Sequence, residues 1–344
     1  MRVLVAMSGG VDSSVAAALL VAEGHEVVGA TMRLWGGPSD SGCCSVADVE
    51  DARRVAAQLG IDHHVLNLAE EFETHVVGPY VADHAAGRTP NPCIECNRHL
   101  KFDTFLGRAE VLGYDAVATG HHARVVRGAD GACRVARGAD RAKDQSYVLH
   151  PLTPTALERV LFPVGGLTKD EVRARAVGLG LRTADKRDSQ DVCFITSVEG
   201  RHDFLAARTE LHPGVVVDVD GNRLGEVGAV ELVTIGQRRG VGASGGAARR
   251  FVVDVDVPAR TVTVGPPERL LVHVVELDAP VLPDGRVHGL AAQCSAHGDA
   301  VACTVEGAPG TATVHFERPV RRVASGQSVV LYDGDVVVGG GTAR

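Results

Sequence analysis

Val3-Leu4-Val5-Ala6-Met7-Ser8-Gly9-Gly10-Val11-Asp12-Ser13-Ser14 is the stretch from which the fold of this chain can be read. Val3 to Ala6 is a short apolar run of the kind that forms a buried strand. A glycine turn follows, and from Asp12 to Glu23 the apolar spacing becomes helical. A strand–loop–helix junction of this type is an anion site, because backbone N–H groups and the positive end of the helix dipole converge there. Gly9 and Gly10 let the backbone approach a phosphate closely. Ser8, Ser13 and Ser14 add hydroxyl donors. Asp12 repels a phosphate, so its expected role is to hold Mg2+. No lysine follows the glycines, which sets the loop apart from G-x-x-x-x-G-K-[ST]. The bland alternative is an ordinary helix N-cap after a tight turn.

Outward from this loop, strand and helix patterns alternate. Gly24 stops the first helix, and Val27 to Met32 reads as a second strand. A helix from Val46 to Leu59 is ended by Gly60. His64 to Leu68 is a third strand, and Asp115 to Thr119 a fourth. Alternation of this length implies a parallel sheet with crossover helices, with ligands at the carboxyl ends of its strands. The character changes near Arg201. From Pro213 onward Val, Gly and Thr dominate, and Asp220-Gly221 and Asp333-Gly334 read as hairpin turns between apolar runs. The expected architecture is α/β: a Rossmann-like parallel-sheet domain over 1–200, a small β-rich central domain over 201–268, and a C-terminal β-barrel over 269–344. A chain of 344 residues suits two or three domains at about 150 residues each.

Charge and composition narrow the class. Acids outnumber Lys plus Arg, 43 to 35, so a globally basic nucleic-acid coat is excluded while a local basic face is not. At 45% apolar and 23% charged residues, the composition is that of a folded globular chain. Charges break every apolar run before the roughly 20 residues of a membrane span. Met1-Arg2 leads straight into the glycine motif without a signal-peptide pattern, so a cytoplasmic location is expected. Eight cysteines are too sparse for a disulfide scaffold, and closely spaced ones in such a setting point to metal binding or catalysis.

The loop pattern S-G-G-x-D-S resembles the pyrophosphate-loop ATP enzymes of the adenine nucleotide alpha hydrolase-like class. These cleave ATP between the α and β phosphates to adenylate an oxygen. Further motifs refine the likeness. Gly87-Arg88-Thr89-Pro90-Asn91-Pro92-Cys93-Ile94-Glu95-Cys96-Asn97 is a proline-stiffened loop carrying C-x-x-C. Gly120-His121-His122 follows the fourth strand. Lys143-Asp144-Gln145-Ser146-Tyr147 and Asp188-Ser189-Gln190-Asp191-Val192-Cys193-Phe194-Ile195 come next, then Gly236-Gln237-Arg238-Arg239-Gly240 and Gly326-Gln327. In this order, from Val3 to about Gly341, they resemble the bacterial tRNA-specific 2-thiouridylases.

The resemblance implies a reaction. ATP adenylates O2 of the wobble uridine in tRNAs for Lys, Glu and Gln, a persulfide on Cys193 delivers sulfur to C2, and AMP leaves. Cys96 then resolves the persulfide, which leaves a Cys96–Cys193 disulfide for a reductant to reset. By the same resemblance, Ala6, Met7, Ser8, Gly9, Gly10, Val11, Asp12, Ser13, Met32 and Gly120 contact ATP. Asn91, Pro92 and Cys93 contact the target base, and His121, Lys143, Asp144, Gln145 and Gln327 contact tRNA. Partners would be tRNA and a sulfur-donating relay protein or cysteine desulfurase system. No membrane is involved, and the free chain is expected to be a monomer. The chemistry is sensible, because a C2 carbonyl needs an activated leaving group and a thiolate-type nucleophile. Each thiol needs a lowered pKa, which nearby cations or helix N–H groups supply.

Cys93 stands where the best-known members carry Asp, and it opens a second mechanism. Cys93, Cys96 and Cys193 form a soft ligand set for a [4Fe–4S] cluster with one iron open to hydrosulfide. In the first mechanism Cys93 takes the place of the Asp as a proton acceptor. The family's basic and aromatic tRNA patch falls here on Ser295, Ala296 and His297, a second departure. Because the chain is acidic, tRNA binding is expected to rest on Arg88, Arg98, Lys101, Lys143, Arg238 and Arg239. Gly240-Val241-Gly242-Ala243-Ser244-Gly245 satisfies G-x-G-x-x-G but lacks a strand before it and a helix after it. Cys43-Cys44 suit no common chelate spacing, and a loop beside the nucleotide is expected for them. Cys133, Cys294 and Cys303 read as buried small hydrophobes. His63-His64 and His121-His122 point to opposite faces, which argues against zinc. The rival functions are another pyrophosphate-loop adenylating ligase and a non-catalytic ATP-binding redox sensor. Pyrophosphate release that depends on unmodified tRNA separates all three.

Overall fold

Arg2–Ala6 forms β1, the middle strand of a five-stranded parallel sheet. Val3, Leu4 and Val5 are all buried, as expected for a parallel strand covered on both faces. The computed structural model describes residues 1–34, 45–187, 192–195, 200–242, 249–282, 288–308 and 310–344. Cys43-Cys44, Asp188 to Asp191 and Ala243 to Gly245 lie outside them. The described chain separates into two compact units. One holds 1–77, 92–198 and 335–337, and the other holds 78–91, 199–334 and 338–344.

In the first unit, β1 leads to α1 (Val11–Ala22), β2 (Glu26–Arg33), α2 (Val46–Leu59) and β3 (His63–Asn67). α3 (Ala69–Phe72) continues into a π-helical turn at Glu73–Val77. In the second unit, α4 (Gly78–Ala85) follows. The chain then returns to the first with α5 (Pro92–Glu95), a π-helical stretch at Cys96–Thr104, α6 (Phe105–Val111) and β4 (Ala116–Ala118). An antiparallel hairpin of β5 (Ala123–Arg127) and β6 (Cys133–Arg137) comes next, with Val125 opposite Val135. α7 (Pro154–Leu157), β7 (Val160–Leu161) and α8 (Lys169–Gly178) complete the unit's main elements.

The sheet order is β3-β2-β1-β4-β7. Val3 pairs with Val27 on one side and Ala116 on the other. The chain winds outward from β1 in one direction and resumes at β4 in the other. The switch point therefore lies between β1 and β4, and ligands of such sheets bind there, at the carboxyl ends. Val3, Val5, Val15, Leu20, Val55 and Val172 belong to one core cluster. α1 is buried on most of its surface, which explains its run of Ala, Val and Leu with no polar face.

The second unit continues with α9 (Gly200–Ala206), β8 (Gly214–Asp218), β9 (Arg223–Val227), β10 (Phe251–Asp256) and β11 (Thr261–Gly265). The four strands form a sheet in the order β10-β11-β8-β9 over a valine core that includes Val216, Val252 and Val262. β12 (Leu271–Val281), β13 (Leu290–Gln293), β14 (Val301–Ala308), β15 (Thr311–Arg321), β16 (Ser328–Asp333) and β17 (Val336–Ala343) form an antiparallel barrel. Leu277 pairs with both Ala312 and Ala343, so β12 closes the ring. Closure removes the exposed edges of the sheet. Leu277, Leu290, Cys303, Val314, Phe316 and Leu331 fill its interior. The hairpin turns at Asp220-Gly221 and Asp333-Gly334 stand where the spacing predicts them. The β5–β6 hairpin, the short β7 and both π-helical stretches are additions that the alternation pattern does not announce.

Candidate functional site

Two backbone constraints shape the loop after β1. Gly9 has φ of +72°, and a Cβ there would lie 2.3 Å from the Asp48 carbonyl oxygen. At Gly120, beyond β4, a Cβ would lie 2.6 Å from Ser13 N. Only glycine fits either place, so the Gly120 backbone sits directly against the start of α1. No side-chain hydrogen bond caps that helix at Gly10. Ser13 Oγ accepts from Ser8 N at 3.2 Å and donates to Gly10 O at 3.1 Å, which folds the loop over the helix end. Ser14 Oγ donates to Gly10 O at 2.8 Å. Met32, next to last in β2, is buried. The expected ATP contacts from Ala6 to Ser13, with Gly120, thus gather at the switch point of the sheet.

Lys169 is the site residue that sequence reasoning missed. It is the first residue of α8, and only 8% of its surface is exposed. Its Nζ donates to Asp12 Oδ1 at 2.8 Å and Oδ2 at 2.7 Å. His122, buried after β4, donates from Nε2 to Asp12 Oδ1 at 3.0 Å. Burial raises the Asp12 pKa, but the bonds from His122 and Lys169 outweigh it and hold the carboxyl below its usual range. Two helix N-termini, an ammonium and an imidazole thus surround one carboxylate. α8 starts with a capping box of Thr168 and Glu171, which fixes where Lys169 begins. A lysine in a first helical turn opposes the macrodipole, and that local conflict is the signal that marks Lys169.

Lys169 bonds both Asp12 oxygens and His122 also bonds Oδ1, while Oδ2 keeps a further lone pair through which Asp12 could hold Mg2+. Among the described residues no three His, Cys, Asp or Glu side chains come together as a metal-holding group.

The two motif cysteines sit on one helical cluster. Pro92 opens α5, the first-turn position to which proline is suited. At Cys96 the helix widens to π geometry, a form frequent at functional sites. Cys96 is buried, and Asn97 beside it donates from Nδ2 to Val148 O at 3.2 Å. Cys93 and Cys193 are half-buried. Phe194 meets Phe72 of α3 edge-on at 5.5 Å, and α3 also packs on the π-helical stretch that starts at Cys96. This anchor holds the residue next to Cys193 against α3. Val192 adopts φ of +53°, a strained conformation for a β-branched residue, immediately before Cys193.

Several expected tRNA contacts have partners within the chain. His121 is buried; Nδ1 lies 2.6 Å from Thr119 Oγ1, and Nε2 accepts from Lys101 Nζ at 3.5 Å. Burial and the nearby Lys101 push its pKa well below the usual value, so the ring is neutral. Asp144 accepts from Arg137 Nη1 at 2.8 Å, Gly138 N at 2.9 Å and Ser146 Oγ at 2.8 Å. Gln145 Oε1 accepts from His122 N at 2.9 Å, which ties the Lys143 loop to the Asp12 partner. Lys143, Arg98, Arg238 and Arg239 are exposed. In the second unit, Arg88 pairs with Asp83, and Gln327 donates from Nε2 to Thr89 O at 2.5 Å.

Three family models cover nearly the whole chain. Residues 1–197 match the tRNA methyl transferase HUP domain, 202–266 the tRNA methyl transferase PRC-barrel domain, and 279–343 the Aminomethyltransferase beta-barrel domain. The chain is 44% identical to the tRNA-specific 2-thiouridylase MnmA of Roseiflexus sp., over 99% of its own length and 98% of that protein's. It is 46% identical to the MnmA of Salinispora arenicola over 99% and 98%, and 44% identical to that of Thermobifida fusca over 99% and 95%. No helix among the described residues is long and apolar enough to cross a membrane. The loop at the switch point and the paired cysteine motifs thus belong to a known enzyme type, and the chain is a member of the tRNA-specific 2-thiouridylase family.

Proposed function

We propose that this chain adenylates O2 of the wobble uridine in tRNAs for Lys, Glu and Gln and replaces that oxygen with sulfur from a Cys193 persulfide. The observation that carries the reading is the anion nest at the start of α1, faced by Lys169, in the same unit as Cys96 and Cys193. Backbone N–H groups of the loop and the Lys169 ammonium suit the departing pyrophosphate. Uridine O2 attacks the α phosphorus, and pyrophosphate leaves. The terminal sulfur of the Cys193 persulfide attacks C2, forming a C2–S bond, and AMP leaves with the former O2. The Cys96 thiolate then attacks Cys193 Sγ. The S–S bond to the base breaks, its electrons form the C2 thiocarbonyl, and a Cys96–Cys193 disulfide remains. A dithiol reductant restores both thiols. Cys93 serves as proton acceptor during activation of the base. Pro92, Arg98, Lys143 and Gln145 of the first unit contact tRNA, as do Asn91, Arg238 and Arg239 of the second, with Asp144 shaping the Lys143 turn.

The persulfide route and a [4Fe–4S] route on Cys93, Cys96 and Cys193 make opposite predictions about iron. The test is nucleoside analysis of tRNA treated with iron-free protein, ATP and a persulfide donor. Full-rate 2-thiouridine formation is expected. Cys96→Ala and Cys193→Ala should keep pyrophosphate release and lose thiolation. Activity only after iron reconstitution, with sulfide as the sole donor, would show the persulfide route to be wrong.

A further inference from the structure

The turn at Gly9 lies against the start of α2. A Cβ at Gly9 would come within 2.9 Å of the Asp48 Cα as well as 2.3 Å of its carbonyl oxygen. Asp48 is in the first turn of α2, where a carboxylate complements the helix dipole, and Asp51 follows one turn on, on the same face. The Asp48 carboxylate carbon is two bonds from its Cα, so it lies within about one Debye length of the Gly9 turn, ~8 Å at physiological salt. A polyanion bound at Gly9 and Gly10 would feel its charge.

Lys186 meets both acids. Its Nζ donates to Asp48 Oδ1 at 2.5 Å and to Asp51 Oδ2 at 2.8 Å. Burial lowers the Lys186 pKa, but the bonds to Asp48 and Asp51 outweigh it, and the ammonium stays charged at neutral pH. Asp51 has a second cation in Arg182, whose Nε lies 3.0 Å from Oδ1. Asp48 has a neutral partner in Ser45, whose Oγ donates to Oδ2 at 2.7 Å. Among the described residues, Lys186 is the cation paired with Asp48. The backbone of Lys186 is held independently of its ammonium. Arg173 of α8 donates from Nη1 to Ala184 O at 2.7 Å and from Nη2 to Lys186 O at 3.1 Å.

We infer that Lys186 is a positioning residue for ATP, because it neutralises the Asp48 carboxylate, which would otherwise repel the phosphates at the Gly9 turn. Every group in this arrangement belongs to the first unit. Asp12 is neutralised in the same way by Lys169. Two lysines thus cancel two carboxylates beside the nest, and the backbone N–H groups are left to set its potential. The inference rests on the ATP step of the proposed function.

The test is calorimetric measurement of the Kd for ATP without tRNA, in wild type, Lys186→Met, and Lys186→Met combined with Asp48→Asn. Met keeps most of the stem and removes the charge. Asn keeps an acceptor for Ser45. At about 50 mM salt Lys186→Met should weaken ATP binding about tenfold. At about 1 M salt, where the Debye length is ~3 Å, the loss relative to wild type should shrink to about twofold. Adding Asp48→Asn should bring the low-salt Kd back to within about twofold of wild type. A tenfold loss that persists at high salt, or that Asp48→Asn does not repair, would overturn the inference and make Lys186 a structural tie. An unchanged Kd in Lys186→Met would overturn it too. The readout involves no sulfur chemistry. A wild type that binds ATP yet makes no 2-thiouridine would remove the thiolation reading, and the Kd values would still decide the role of Lys186. A wild type that binds no ATP would remove both.

Discussion

At the scale of single residues, charge and burial make two positions informative. Lys169 pairs with Asp12 at the mouth of the loop. If its ammonium stabilises the departing pyrophosphate, Lys169→Ala should lower tRNA-dependent pyrophosphate release about 100-fold. Circular dichroism should be unchanged, and a full rate would remove Lys169 from the site. His84 is buried against Tyr80 and the Glu231 carbonyl, and burial lowers its pKa from 6.5 to about 4. The unfolded chain then binds a proton before the folded one does. Stability is fully present above pH 6.5 and is lost as pH falls toward 4, by at most about 3 kcal/mol. Melting temperatures from pH 7 to 4 should fall less steeply for His84→Gln than for wild type. Equal slopes would contradict the assignment. Cys303 is buried in β14 as read from the sequence, whereas Cys294 follows β13 and is half-buried; burial pushes the two thiols up to about 11 and about 12, so they are poor nucleophiles at neutral pH.

At the scale of elements, the site depends on how β4 is capped by Gly120. A Cβ there meets Ser13 N at 2.6 Å and the Asp12 carbonyl carbon at 2.7 Å, and neither backbone atom can rotate away. Gly120→Ala should cost about 1–3 kcal/mol by overpacking. It should also raise KM for ATP, because the start of α1 must shift. Denaturant melts and ATP titration check both effects, and a wild-type KM would argue against this packing. Four strands and two helices were legible in the sequence, since their apolar periods and glycine stops are local. The π-helical stretch at Cys96 was not, because no apolar period or glycine stop in the sequence sets it apart from an α-helix. β7, two residues long, is too short to carry a period.

At the scale of the whole molecule, an acidic chain must bind a polyanion through local charge. The net charge is −8, yet Arg98, Lys143, Arg238 and Arg239 are exposed. Each phosphate contact contributes a slope of about −0.7 to log K against log salt on single strands. Lys143→Ala should therefore reduce the slope of tRNA binding by about 0.7. A flat salt profile in the wild type would exclude the electrostatic interface.

The anion loop, the parallel α/β plan and the cysteine pair could be named from residue types alone, because turns, periods and C-x-x-C spacing are set within about ten residues of chain. The partners of those residues could not. Lys169 reaches Asp12 across 157 positions, and Gln327 reaches Thr89 across 238. Such pairs exist only once helices and barrel have packed, since sequence distance does not encode which buried groups meet. The same reason turns Asp144 inward to Arg137 and pairs the Asp12 carboxylate with the Lys169 ammonium.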